Sequence, residues 1–138
     1  MIKNFMAMPI LLKLLTATAF AVPIFVIGTM IPHGSVNVGG RELATSAWWT
    51  IGAGPFLLVV ALLFCASIIG MLRRVRYSRF MYILSWIALS AFIPYVASVT
   101  GAGLAVSKPG TISNLLLAGV IGLYLYLNKG ARSYFRSG

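Results

Sequence analysis

Four long, nearly uninterrupted apolar windows leave this chain little choice of surroundings. They run from about Leu14 to Ile31, Trp48 to Leu72, Phe80 to Val99 and Ile112 to Leu127. About 20 apolar residues, rising ~1.5 Å each as a helix, cross a hydrocarbon core of roughly 30 Å. A helix also satisfies every backbone group within its own segment, as lipid demands. No window alternates with period two, which argues against a transmembrane barrel. The fourth window has only 16 residues and would reach just ~24 Å. It is therefore expected to thin the bilayer locally, to recruit flanking residues or to stand nearly upright. A water-soluble fold is excluded by the balance of the chain, 60% apolar and 9% charged, against about 45–50% and 25% in soluble domains. The expected fold is an all-α membrane protein, four spans in one compact bundle over residues 1–138.

Clear breaks separate the windows. Pro32-His33-Gly34 closes the first. Arg73 to Arg79 divides the second from the third, and Gly101-Ala102-Gly103 through Ser107-Lys108-Pro109-Gly110 reads as turn between the third and fourth. The first window reads as a span rather than a cleaved leader. Lys13 interrupts its apolar run, which then continues past the small-x-small site Ala19-Phe20-Ala21.

Cations set orientation. Lys3, Lys13, Arg73, Arg74, Arg76, Arg79, Lys129, Arg132 and Arg136 fall at one set of span ends, and only Arg41 and Lys108 at the other. Short loops rich in Lys and Arg stay cytoplasmic, so both termini are expected there, as in a bacterial inner membrane. Arg73, Arg74, Arg76, Arg79, Lys129, Arg132 and Arg136 are then anionic-lipid contacts, each worth about 1 kcal/mol near the surface. No nucleic-acid-reading motif accompanies them.

Little catalytic chemistry is available. Glu42 is the only acid and the chain has no Asp. Paired carboxylates, carboxylate metal sites and Ser/His/Asp catalysis are thereby excluded. Ion-coupled transport through an intramembrane acid is disfavoured as well. His33 is the only histidine and reads as a turn residue rather than a haem or metal ligand. The lone Cys65 cannot support a disulfide scaffold or dithiol chemistry and reads as packing within its span. No cofactor is expected.

Three features remain. Val36-Asn37-Val38, Gly39-Gly40 and Arg41-Glu42-Leu43 read as a small external β-hairpin. Val36, Asn37, Val38, Arg41 and Glu42 form a candidate partner-binding loop. Ser90, Tyr95, Ser98 and Thr100 make the outer half of the third span a candidate polar cavity, although Ser and Thr often bond their own helix. Small residues four apart, Ala66/Gly70, Ala97/Gly101 and Ala118/Gly122, suit close helix packing. Trp48 and Trp49 are placed in the external aromatic belt, and Tyr77, Tyr82 and Trp86 at the inner interface. Thr45 or Ser46 is expected to cap the second span.

The hairpin loop, the Trp pair, the basic second connection and the terminal Arg-Ser-Tyr-Phe resemble small bacterial four-span inner-membrane proteins in general, without a motif of any one family. Small multidrug transporters differ in carrying a Glu in their first span. The expected function is that of a non-catalytic accessory protein of immunity, exclusion or assembly-factor type, with another membrane protein or itself as partner. The alternatives are a homo-oligomeric channel or transporter for a small or hydrophobic solute, or a subunit of a larger membrane complex.

Overall fold

The computed structural model describes residues 2–30, 35–38, 41–101 and 108–136. A short helix α1 (Ile2–Met6) leads into α2 (Ile10–Met30). Strands β1 (Ser35–Val38) and β2 (Arg41–Ala44) follow, paired antiparallel with Val36 opposite Leu43 and Val38 opposite Arg41. Then come α3 (Thr45–Thr50), α4 (Ala53–Leu72), α5 (Ser78–Thr100), α6 (Lys108–Leu127) and α7 (Lys129–Arg136). Four of these helices, α2, α4, α5 and α6, are long and apolar enough to cross a membrane.

Three span limits differ from the sequence reading. The first helix starts at Ile10, four residues before Leu14, so Lys13 lies within it. The second window is not one helix. It breaks at Ile51 and Gly52, and Gly52 takes a left-handed φ of 81° as the N-cap of α4, so neither Thr45 nor Ser46 caps that span. The fourth helix starts at Lys108 and runs for 20 residues, about 30 Å at ~1.5 Å per residue. The expected shortfall disappears because Pro109-Gly110 lies in the first helical turn. There Pro lacks only an amide that would have no intrahelical partner anyway.

Helix α4 sits between α2 and α5, and α6 leans on α5. At one end of the bundle, Leu12, Val60, Phe64, Met71, Tyr82 and Leu125 are fully buried in one core cluster. A smaller cluster of Val26, Trp48, Ala53, Leu57, Ala61 and Val96 fills the other end. Small residues permit the close approaches. A Cβ on Gly70 would stand 2.7 Å from Ser78 Cβ, and one on Gly122 3.3 Å from Ile83 Cδ1. Buried hydroxyls are spent on helix carbonyls: Thr16 on Leu12, Ser67 on Phe64, Ser85 on Met81 and Ser90 on Trp86.

Several aromatics change place relative to the sequence reading. Trp48 is buried, its ring edge-on to Phe92 at 5.7 Å, while Trp49 stays exposed. Tyr82 is a core residue whose hydroxyl donates to Leu15 O at 3.0 Å, tying α5 to α2. Trp86 packs edge-on against Phe64. Only Tyr77 of the expected inner trio is exposed. An aromatic with a polar tip suits an interface or a core position with a nearby carbonyl, and residue type alone does not choose. Cys65 is exposed on the outside of α4 rather than packed in the core.

The break before α4 yields a sharp prediction. The Tyr95 hydroxyl donates to Ile51 O at 2.8 Å, and a Cβ on Gly52 would meet that hydroxyl oxygen at 2.5 Å. Gly52→Ala should therefore cost about 1–2 kcal/mol from left-handed strain, plus ~0.6 kcal/mol from the hydrogen bond it displaces. Thermal melts in detergent should show this loss, with Tyr95→Phe recovering the part due to the clash. An unchanged melt would mean the break is not held as described.

Candidate functional site at the basic end of the bundle

One end of the bundle gathers α1, the α4–α5 connection, the end of α6 and α7. The chain turns sharply after α4. Val75 N–H donates to Gly70 O at 2.8 Å and Arg74 N–H to Met71 O at 3.1 Å. That 6→1 and 5→2 pair needs a left-handed residue, usually Gly. Here it is Arg74, at φ 59°. Asn4 Nδ2 donates to Leu72 O at 2.9 Å and brings α1 against the same turn.

Helix α7 is built for a boundary. Asn128 Oδ1 accepts the Ala131 N–H at 3.1 Å, the N-cap arrangement that satisfies a first-turn amide. Ala131, Tyr134 and Phe135 are buried along one stripe, while Lys129, Arg132 and Arg136 are exposed. Gly130 leaves room for the cap, since a Cβ there would stand 3.1 Å from Asn128 Oδ1. The stripe is fastened by the turn after α4. Tyr134 donates its hydroxyl to Met71 O at 3.1 Å, and Arg74 lies 4.9 Å above the Tyr134 ring. Burial pushes the Tyr134 phenol above its ordinary value of 10.0, and the Arg74 guanidinium beside it pulls the other way. At neutral pH the phenol remains a donor.

Arg79 is held still more closely. Its guanidinium lies over the rings of Tyr126 and Phe135, at 4.8 and 5.1 Å, and Nη1 donates to Leu125 O at 3.4 Å. Around it a hollow of about 410 Å³ is lined by Arg76, Arg79, Tyr126, Arg132 and Arg136. Four of the seven expected lipid-contact cations thus converge. Arg74 faces a separate concavity, shared with Ala7, Pro9, Gly130, Ser133 and Tyr134. Arg73 and Lys129 are exposed and line neither hollow.

The other candidates are placed differently. In the C-terminal half of α5, Ser90, Ser98 and Thr100 donate to Trp86 O, Tyr95 O and Val96 O of their own helix. Tyr95 instead crosses to Ile51 O and stacks on Phe56 at 5.3 Å. For the partner loop, Asn37 pairs with Glu42 across the strands, and Glu42 is exposed. The side chains of Val36, Asn37, Val38 and Arg41 lie outside the described set, as do Pro32, His33, Gly34, Gly39, Gly40, Ala102, Gly103 and Ser107. Among the described residues, no group of three or more His, Cys, Asp and Glu could hold a metal ion.

Sequence reasoning missed Tyr126, Tyr134 and Phe135 as the platform beneath the arginines. A signal existed: Ala131, Tyr134 and Phe135 recur at the i, i+3, i+4 spacing of an amphipathic helix, with the cations between. No protein-family model matches the chain, and neither a curated protein nor a solved structure does.

Proposed function

We propose that the protein is an integral protein of a bacterial inner membrane, both termini cytoplasmic, that works without catalysis, by contact with another membrane protein through its helices and its external strand pair. The observation that supports this reading best is how the polar groups are used. Buried hydroxyls inside the bundle are returned to helix carbonyls. Six arginines gather at one end of it: Arg73, Arg74 and Arg76 at the turn after α4, Arg79 in the first turn of α5, and Arg132 and Arg136 on α7. Such a molecule has surfaces to offer rather than an interior site.

A homo-oligomeric channel or transporter is the second reading. Gly119 favours it, since a Cβ there would meet nothing within 4 Å, and an open notch on a lipid-facing helix suits a close helix crossing. A subunit of a larger complex is the third.

Orientation is tested by reporters. A C-terminal fluorescent protein that matures only in the cytoplasm should fluoresce, and a phosphatase active only outside should be silent at the same position. The reverse pattern would overturn the orientation. Native mass spectrometry of protein extracted gently from its own membrane then separates the functions. A second polypeptide supports the contact reading, and a discrete homo-oligomer supports the channel.

A further inference from the structure

We propose that the four-arginine hollow and the outward face of α6 together form a binding site for one lipid whose headgroup carries two phosphates. The first observation is the charge. Arg76 and Arg79 come from the α4–α5 turn and the first turn of α5. Arg132 and Arg136 stand one turn apart on α7. Four cations crowd around one hollow and repel each other, and among the described residues the chain places no carboxylate in its lining. Its single acid, Glu42, lies in β2. An external anion suits such a cluster, and guanidinium forks match phosphate oxygens two at a time. A single phosphodiester would neutralise one of the four cations. Two phosphates on one headgroup meet two arginines each. At roughly 30 Å³ per water, a hollow of about 410 Å³ is large enough for both phosphates and their linker.

The second observation is that the hollow is prepared in advance. Arg79 is fixed over Tyr126 and Phe135 and by Leu125 O. Arg132 and Arg136 ride on a capped helix whose buried stripe is docked. A ligand arriving there would have less rotamer freedom to freeze.

The third observation selects a lipid over a free anion. Tyr126 lines the hollow one residue before the end of α6, where a span meets the headgroups. Below it, Ile112, Leu115, Leu116, Gly119, Val120 and Leu123, all exposed on α6, border a shallow apolar groove of about 390 Å³ along that one helix face. Ile112, Leu116, Gly119, Leu123 and Tyr126 are spaced four, three, four and three apart, so they form one stripe along the helix. From Ile112 to Leu123 this stripe is ~16 Å long, enough to carry much of an acyl chain. The notch at Gly119 lets a chain lie close to the backbone. A polar hollow at the headgroup end and an apolar groove on the same helix face make the two halves of a lipid site.

This inference rests on the membrane reading above, and not on whether a protein partner exists. The test is native mass spectrometry of the full-length protein, delipidated in detergent and titrated with three probes. These are cardiolipin, phosphatidylglycerol at equal phosphate, and inorganic pyrophosphate. One cardiolipin per chain is expected, bound at least tenfold more tightly than phosphatidylglycerol. Arg132→Gln with Arg136→Gln should weaken cardiolipin tenfold or more, while Arg73→Gln should not. Gly119→Phe, which fills the groove without touching an arginine, should weaken cardiolipin several-fold and leave pyrophosphate binding unchanged. Unaltered helicity by circular dichroism checks the fold of each variant. Equal binding of both lipids, or wild-type binding by the double variant, overturns the site. Pyrophosphate bound as tightly as cardiolipin, with Gly119→Phe silent, overturns the lipid assignment in favour of a soluble diphosphate. A protein partner retained despite either result would leave the contact reading standing.

Discussion

Truncating Phe64 to alanine is expected to cost more stability than any other single substitution in the spans. The side chain is fully buried, with ring edges against Tyr82 at 6.0 Å and Trp86 at 5.8 Å. Removing a buried aromatic from a water-soluble core costs about 3–5 kcal/mol. In lipid the transfer part fades, because acyl chains are as apolar as a helix face. Lost dispersion contacts and the cavity remain, so the lower end, ~3 kcal/mol, is expected. Denaturation in mixed micelles would measure it. Phe64→Leu, which keeps most of the volume, should cost under ~1.5 kcal/mol. Leu62→Ala, 60% exposed on the lipid side, should cost under ~0.5 kcal/mol. Equal losses for Phe64→Ala and Leu62→Ala would mean that α2, α4 and α5 do not close around Phe64.

The second large effect belongs to α7. Phe135 is 1% exposed and forms part of the platform under Arg79. Helix α7 lies beyond the spans, so water competes for its stripe and the full hydrophobic term applies. Phe135→Ala should therefore destabilise the docked helix by ~3 kcal/mol, which raises its opened population about a hundredfold. The opening is local. Trypsin should cut after Arg132 about a hundredfold faster, while the melt of the four spans barely moves. A cleavage rate equal to wild type would show that the stripe does not hold α7. Tyr134 adds a pH arm. Its folded value is raised above 10.0 by burial, so its contribution is complete below that pH. It is lost as pH climbs through the raised value, because the charged phenolate is the form the docked site disfavours. Docking should be flat around neutrality and weaken only in strong alkali.

The number of spans was legible because hydropathy reports burial in lipid directly. Their inward faces were not. In water, a helix shows a polar and an apolar stripe, and the apolar one points to the core. In lipid both faces are apolar, so Phe64 on the inside and Leu62 on the outside look alike in sequence. Tyr82 and Trp86 read as interface residues for the same reason: their residue types fit both places. The Gly52 break hid within a run of apolar residues, since a glycine reveals its use only through its φ. By contrast, α7 carried a readable stripe because it lies beyond the spans.

Four apolar segments long enough to cross a membrane, cations gathered at one set of helix ends and a single acid were all visible in the residues. These follow from composition and order, which fix what each segment can be dissolved in. That Arg76 and Arg79 meet Arg132 and Arg136 over Tyr126 came from the packing of the helices. These groups lie more than 50 residues apart in the chain, and no local propensity links them. Their meeting depends on α6 packing against α5 and on Phe135 seating α7 beneath Arg79. That placement comes from side-chain fit between helices, which one-dimensional periodicity does not record.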